Sequence, residues 1–372
     1  MATLLCRSCN AEHPDSEQIW RCTCGGLLDL EFDPEFPISK IEDRIRTLWR
    51  YREAIPIESD ENIVTLSEGF TPLLPVEIGG IPIQMKHDHL FLSGSFKDRG
   101  ATVLLSRAKE LGIRKVVEDS SGNAGCAISA YSAEAGIDCD VFVPDDVSPE
   151  KAAQIEVSGG NLHRIPGGRK ATAEAALEAA RVSYFASHCW NPYFFHGTKT
   201  FAFEICEQLG WQSPDVVILP VGNGTLVLGA DLGFRELLKA DVIDRMPRII
   251  GVQAEKCCPL YHEFHGDDHA SFPCLHTSAE GIAIPSPLRG PQIIEAIRES
   301  KGSILKVTEE EIIAALRHSI ERAFIIEPTA AATIAGVEQF IQTEEPNLDE
   351  VIVSTFSGHG SNTAEKIMSL LD

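Results

Sequence analysis

Ser93-Gly94-Ser95-Phe96-Lys97-Asp98-Arg99-Gly100 is the stretch from which the rest of the chain can be read. A Gly/Ser turn precedes the lysine, and an apolar-periodic run over residues 102–111, stopped by Gly112, follows it, so Lys97 stands at the start of a helix. The positive end of a helix makes an amine easier to deprotonate. An uncharged amine attacks carbonyls, so this lysine can hold an aldehyde cofactor as a Schiff base. On the octapeptide alone, a solvated Lys-Asp-Arg at a helix start accounts for the pattern equally well.

Two later stretches separate those readings. Ser120-Ser121-Gly122-Asn123-Ala124-Gly125 follows the apolar Val116 and Val117 and precedes a run of small residues. It is a strand-to-helix turn that can offer the Asn123 amide to a ring hydroxyl. Pro220-Val221-Gly222-Asn223-Gly224-Thr225-Leu226 follows the apolar residues 216–219 and opens another helix, which makes it a loop of backbone N–H groups suited to a phosphate. One glycine-rich loop is a weak signal; three in this order are a strong one.

With these loops the chain resembles the fold-type-II pyridoxal-phosphate enzymes, and within them the threonine synthase branch. The similarity extends to residues 48–56, Leu66-Ser67-Glu68-Gly69-Phe70-Thr71-Pro72-Leu73, Gly197-Thr198-Lys199-Thr200, Glu327-Pro328-Thr329-Ala330-Ala331 and Ser357-Gly358-His359-Gly360. It implies an α/β protein of two three-layer α/β/α domains with mostly parallel sheets, assembled as a homodimer. It further implies that Lys97 carries pyridoxal 5'-phosphate and that Asn123 bonds the O3′ of that cofactor. Val221, Gly222, Asn223, Gly224 and Thr225 would cradle its phosphate, and Ser357 would bond the pyridine nitrogen. The implied substrate is a small amino acid, and the implied reaction converts O-phosphohomoserine and water into threonine and phosphate.

Two segments depart from the pattern of that branch. Its Asn-Pro-x-Arg-x-Glu-Gly-Gln-Lys-Thr appears as Asn191-Pro192-Tyr193-Phe194-Phe195-His196-Gly197-Thr198-Lys199-Thr200, with Phe194 where the arginine is expected. Its Asn-Pro-Thr before Gly-Ser-Phe-Lys appears as Phe91-Leu92-Ser93. Ser93, Arg99, Ser120, Ser121, Lys199 and Thr200 remain as substrate-binding candidates. Another elimination or replacement enzyme therefore stays open: a cysteate synthase, a threonine or serine dehydratase, or a diaminopropionate ammonia-lyase. So does a catalytically silent, ligand-sensing homologue, although an intact Lys97 and phosphate loop speak against silence.

A chain of 372 residues with 44% hydrophobic composition can bury a sizeable core. Its formal charge of −23 argues against nucleic acid and anionic membrane surfaces as partners. No apolar run reaches the length of a membrane span and no signal-peptide pattern opens the sequence, which reads as cytoplasmic. Among 11 cysteines, Cys6-x2-Cys9 and Cys22-x-Cys24, followed by Gly25-Gly26, form the two knuckles of a zinc-ribbon-like segment over residues 1–30. The second knuckle is one residue short, so a structural zinc and a metal-free fold both remain open. Catalysis is expected not to depend on this segment.

Helical spacing of Ile41, Ile45 and Trp49 predicts a helix over residues 40–53. Strands over 115–118, 139–143 and 161–165 alternate with helices over 123–135, 148–157 and 170–181, which predicts right-handed βαβ units on a parallel sheet. Residues 100–196 are thus expected to be a small mobile domain. Residues 31–99 and 197–372 are expected to form the large cofactor-binding domain, with ligands at the carboxyl ends of its strands. His87-Asp88-His89 reads as a polar turn, and the histidine-rich residues 261–276 read as a surface loop.

Overall fold

The computed structural model describes residues 2–267 and 272–372. It divides into two compact units, Met1–Gly69 with Lys97–Thr200, and Phe70–Phe96 with Phe201–Asp372.

The first unit contains a three-stranded antiparallel sheet of β1 (Thr3–Cys6), β2 (Glu12–Pro14) and β3 (Leu28–Glu31), in the order β2-β1-β3. The second unit begins with the hairpin of β4 (Leu73–Ile78) and β5 (Ile81–Lys86). Back in the first unit, β6 (Lys115–Glu118), β7 (Asp138–Pro144), β8 (Asn161–Ile165) and β9 (Tyr184–Phe185) form a wholly parallel sheet in the order β8-β7-β6-β9. Val116, Val117 and Glu118 are all buried, as expected of a central parallel strand with both faces covered. Helices Lys97–Glu110, Asn123–Ala135, Pro149–Val157 and Gly168–Ala179 supply the cover.

In the second unit β10 (Val216–Pro220), β11 (Arg248–Ala254), β12 (Ser303–Val307) and β13 (Ile352–Thr355) join the hairpin in one six-stranded sheet, ordered β12-β11-β10-β13-β5-β4. Every pairing is parallel except that of β4, which forms the edge and carries Pro75, a residue without an N–H to donate. Beneath it lies a fully buried ion pair, Lys86 Nζ to Glu204 Oε2 at 2.8 Å, with Lys86 also donating to Thr71 O and Gln208 Oε1. Among the described residues no helix is long and apolar enough to cross a membrane.

The helix starting at Lys97, the βαβ alternation and the parallel sheets match the sequence reading. The expected division does not: residues 31–69 belong with 97–200, and not with the second unit. Leu48, Ile55, Ile57 and Val64 share one core with Val103, Leu104 and Tyr131, and the Glu68 carboxylate adds to that packing. It accepts from Trp49 Nε1 at 3.0 Å, Leu66 N at 2.7 Å and Tyr131 OH at 2.9 Å, fastening residues 48–69 to helix Asn123–Ala135. The predicted helix over 40–53 is also broken, into a helix Ile38–Asp43 and a 3-10 segment Leu48–Ala54. Arg44 is extended between them, and its guanidinium closes the bend through two 2.6 Å contacts with Glu53. Ile45 is left 83% exposed. Part of the supposed loop over 261–276 is helix Pro259–His265, whose start the preceding residues did not signal; residues 268–271 of that stretch lie outside the described residues. The polar turn at residues 87–89 leads into a 3-10 turn, Asp88–Leu90, in which Asp88 and His89 are buried and Leu90 is exposed.

Candidate active site

Lys97 opens the helix Lys97–Glu110 of the first unit and is half-buried. Its Nζ lies 5.7 Å from the centroid of the Phe194 ring, which is fully buried. Two glycines permit this packing. A Cβ on Gly100 would run into the Phe194 ring, and one on Gly197 would run into the backbone carbonyl of Arg99, so helix Pro192–Thr198 lies against the lysine helix almost backbone to backbone. The aromatic side chain at the position expected for an arginine therefore fills the hollow over Gly100.

Asn123 begins the helix Asn123–Ala135 just after β6, and no side chain caps that helix. Its loop is tightly wound: a Cβ on Gly125 would strike the Ser120 carbonyl, and the Ser120 hydroxyl accepts from Gly122 N at 3.3 Å. Ser120 and Ser121 are half-buried there. Arg99, Lys199 and Thr200 stand in another setting. All three are fully buried, with Arg99 Nη1 donating to Thr200 Oγ1 at 3.1 Å and Lys199 Nζ donating to His196 Nδ1 at 2.9 Å. His196 Nε2 in turn donates to the carbonyl of Leu30 in β3 at 3.2 Å.

In the second unit the loop after β10 leads into helix Thr225–Lys239, which starts at Gly224 in the left-handed conformation (φ +73°) with no side-chain cap. Gly222 packs so closely on residues 281 and 282 that a Cβ would sit 2.9 Å from the Ile282 Cα. Val221 is committed elsewhere: its N–H donates to Val252 O, and its carbonyl accepts from Gln253 Nε2. Both backbone groups of Val221 are thus engaged with β11.

Ser357 follows β13 at two residues' distance and is 1% exposed, and its Oγ has no hydrogen-bond partner among the described residues. Its backbone is held on both sides. Phe96 N donates to the Ser357 carbonyl at 3.1 Å, Ser95 bridges to Gly358, and Glu327 N donates to the Gly358 carbonyl at 3.0 Å. Ser93, half-buried, receives the Asn362 amide on its carbonyl at 3.2 Å. A buried hydroxyl left unpaired costs about 1–3 kcal/mol, so Ser357 Oγ is open to a hydrogen bond from a ligand atom. An uncapped helix start behind a glycine turn suits an anion for the same reason. Both features fit a phosphorylated pyridine.

Residues 64–358 match the family model described as pyridoxal-phosphate dependent enzyme. The threonine synthase of Methanocaldococcus jannaschii is 35% identical over 95% of this chain and 91% of its own length, and that of Methanosarcina acetivorans 34% over 96% and 92%. The chain belongs to the threonine synthase branch of the pyridoxal-phosphate-dependent enzymes. As a member it is a pyridoxal-phosphate-dependent lyase. Solved structures share the fold: a pyridoxal 5'-phosphate-dependent aspartate racemase (TM-score 0.68, 23% identity, 80% of this chain and 92% of that one) and a threonine deaminase of Solanum lycopersicum (TM-score 0.65, 22%, 78% and 79%).

At the other end of the chain the four cysteine sulfurs converge. Cys6, Cys9, Cys22 and Cys24 have their Sγ atoms within 4.8 Å of one another, with Cys6 to Cys24 at 3.5 Å and Cys9 to Cys22 at 3.6 Å. These separations exceed the roughly 2.05 Å of a disulfide. The short second knuckle closes because Gly25 takes φ +88° and Gly26 leaves room for the Ser8 side chain and Cys6 Sγ. His13 Nε2 lies 3.3 Å from Cys22 Sγ, and the Cys22 thiol is lowered to about 5, first by a backbone N–H at Cys24 and then by His13.

The sequence reading passed over two groups of the first unit. Glu118, the last residue of β6, is fully buried with Oε1 3.0 Å from His188 Nδ1. A charged residue closing an apolar strand just ahead of Ser120 was the signal available for it.

Proposed function

We propose that this enzyme converts O-phosphohomoserine and water into threonine and phosphate. Ser357 carries the reading. Its unpartnered hydroxyl is a neutral hydrogen-bonding group, and a neutral partner for a pyridine nitrogen favours elimination and replacement over transamination. The relatives of Methanocaldococcus jannaschii, Methanosarcina acetivorans and Halalkalibacterium halodurans are each named threonine synthase, which supports threonine as the product.

Bound pyridoxal phosphate supplies an electron sink for negative charge at the substrate α-carbon. The rest falls to residues of this chain. Lys97 Nζ would hold the cofactor and would also be the group that takes and returns the substrate α-proton. Asn123 bonds the cofactor's ring hydroxyl. The N–H groups of Gly222, Asn223, Gly224 and Thr225 receive its phosphate, and Ser357 Oγ meets its ring nitrogen. Ser120, Ser121 and the helix start after them suit the substrate carboxylate, with Ser93 also available to the substrate. Arg99, Lys199 and Thr200 act from below by holding helix Pro192–Thr198 in place. We further propose that the four cysteines hold a structural zinc and that the protein is a homodimer.

The test is to titrate the purified enzyme with O-phosphohomoserine, O-phosphoserine, homoserine, serine, threonine and diaminopropionate, following the cofactor spectrum and the release of phosphate or ammonia. Phosphate release with threonine as product is expected. Ammonia from serine or threonine, with no response to either phosphate ester, would overturn the assignment.

A further inference from the structure

Glu118 and His188 form a buried pair that the reaction above does not use. Both lie in the first unit, one ending β6 and the other three residues before Asn191, with side chains 0% and 7% exposed and 3.0 Å apart. Glu118 Oε2 has no hydrogen-bond partner among the described residues. The Phe194 ring meets the His188 ring edge-on at 5.9 Å and also lies 5.7 Å from Lys97 Nζ, so the pair is packed against the residue that packs on the lysine.

The charged groups around the pair come from several elements. Lys97 faces it from helix Lys97–Glu110 and Arg169 from helix Gly168–Ala179, while Asp119 follows Glu118 directly. Burial pushes the Glu118 carboxyl up to about 8 against the pull of Arg169, Lys97 and the backbone N–H groups of His188 and Asp119. Burial likewise holds His188 well below its ordinary range, assisted by Lys97 and Arg169 and opposed by Asp119. The adjacent Cys189 thiol, pushed up to about 12 by burial, adds no charge.

We propose that Glu118 and His188 are positioning residues for Lys97, a buried pair that holds one proton and so presents no charge to the lysine amine. A carboxylate close to an amine stabilises the ammonium form, which neither holds an aldehyde nor accepts a proton. Keeping that proton on the pair leaves the amine able to shed its own. As pH rises and the proton leaves Glu118 for solvent, the new negative charge draws a proton back towards Lys97. The inference rests on Lys97 as the cofactor-bearing lysine and not on the identity of the substrate.

The experiment is a titration of the visible cofactor band of the holoenzyme, from about pH 6 to about pH 10, in the unaltered protein, Glu118→Gln and His188→Asn. The unaltered protein should show a step near the point where Glu118 ionises, about pH 8. Glu118→Gln, which imitates the neutral carboxyl, should keep the low-pH spectrum and lose the step. His188→Asn, whose amide can donate to the carboxylate, should move the step to lower pH by about one unit. An unchanged step in Glu118→Gln, with the cofactor trapped on Lys97 by borohydride, overturns this inference alone. Cofactor trapped on another lysine overturns it together with the reading beneath it. Where Glu118→Gln does not fold, infrared difference spectra of the unaltered protein across the same range should lose a protonated-carboxyl band, and the absence of that loss overturns the proposal.

Discussion

The hydroxyl of Ser357 is buried with no hydrogen-bond partner among the described residues, and its removal should separate stability from cofactor binding. Ser357→Ala breaks no hydrogen bond of the protein, so the apoprotein should be as stable as before or more stable by up to about 1–3 kcal/mol. Affinity for pyridoxal phosphate should fall by the worth of one hydrogen bond, about 0.5–1.5 kcal/mol or roughly two- to tenfold. Thermal unfolding of the apoprotein and equilibrium dialysis of the cofactor read the two effects separately. A destabilised apoprotein with unchanged affinity would show the hydroxyl to be structural. Phe194 raises the complementary point, since packing decides what stands over Lys97. Gly100 leaves a hollow that the ring fills, and an arginine there would bring a second cation beside the lysine.

The cysteine segment shows how an element's packing changes its role. Read as sequence it is an appendage, yet Leu4, Leu28 and Leu30 share one core with Val103, Leu104 and Ala108 of the lysine helix. Trp20 Nε1 donates to Ala180 O at 3.4 Å, Gln18 to Leu111 O at 2.7 Å, and Arg107 to Asp15 O at 2.6 Å. Each fully buried leucine is worth about 1.5–3 kcal/mol, so deleting residues 1–30 should unfold the first unit and take the visible band with it. The sequence alone reads the segment as one on which catalysis does not depend. Elemental analysis should find one zinc per chain, and removing it with a chelator should lower the melting temperature. A deletion variant that keeps both its melting temperature and its band would return the segment to the status of an appendage.

Across the molecule the buried histidines set the acid limit of stability. His87, His188 and His196 are all lowered from 6.5, and His89 to about 4, in each case first by burial. The unfolded chain therefore binds more protons than the folded one below about pH 6.5, and stability should fall as pH drops through that value, with the His89 share fully lost by about pH 4. Glu118 works in the other direction. Its carboxyl rises from 4.5 to about 8 on folding, so its contribution is complete below 4.5 and is lost as pH climbs to about 8. Denaturant unfolding across pH should accordingly show Glu118→Gln gaining on the unaltered protein between those two values and holding a constant lead above them. A lead that does not change with pH would mean that Glu118 is ionised throughout.

The sequence by itself determined the local chemistry of this protein. Glycine turns ahead of helices, apolar runs of strand length and the alternation between them follow from backbone sterics and short-range periodicity. These placed Lys97, Asn123 and the loop after β10 at the ends of their elements. Tertiary structure decided what distant residues do to one another. A core shared with the lysine helix and the Glu68–Tyr131 bond drew residues 48–69 to the first unit, the bend at Arg44 broke a helix whose spacing was sound, and the Val252 carbonyl claimed the N–H of Val221. Nothing in the neighbourhood of Glu118 or His188 along the chain indicates that they meet. Their pairing, and the neutrality that burial imposes on it, arise only when β6 and the segment after β9 are brought together, because the cost of a buried charge depends on surroundings that no short stretch of sequence contains.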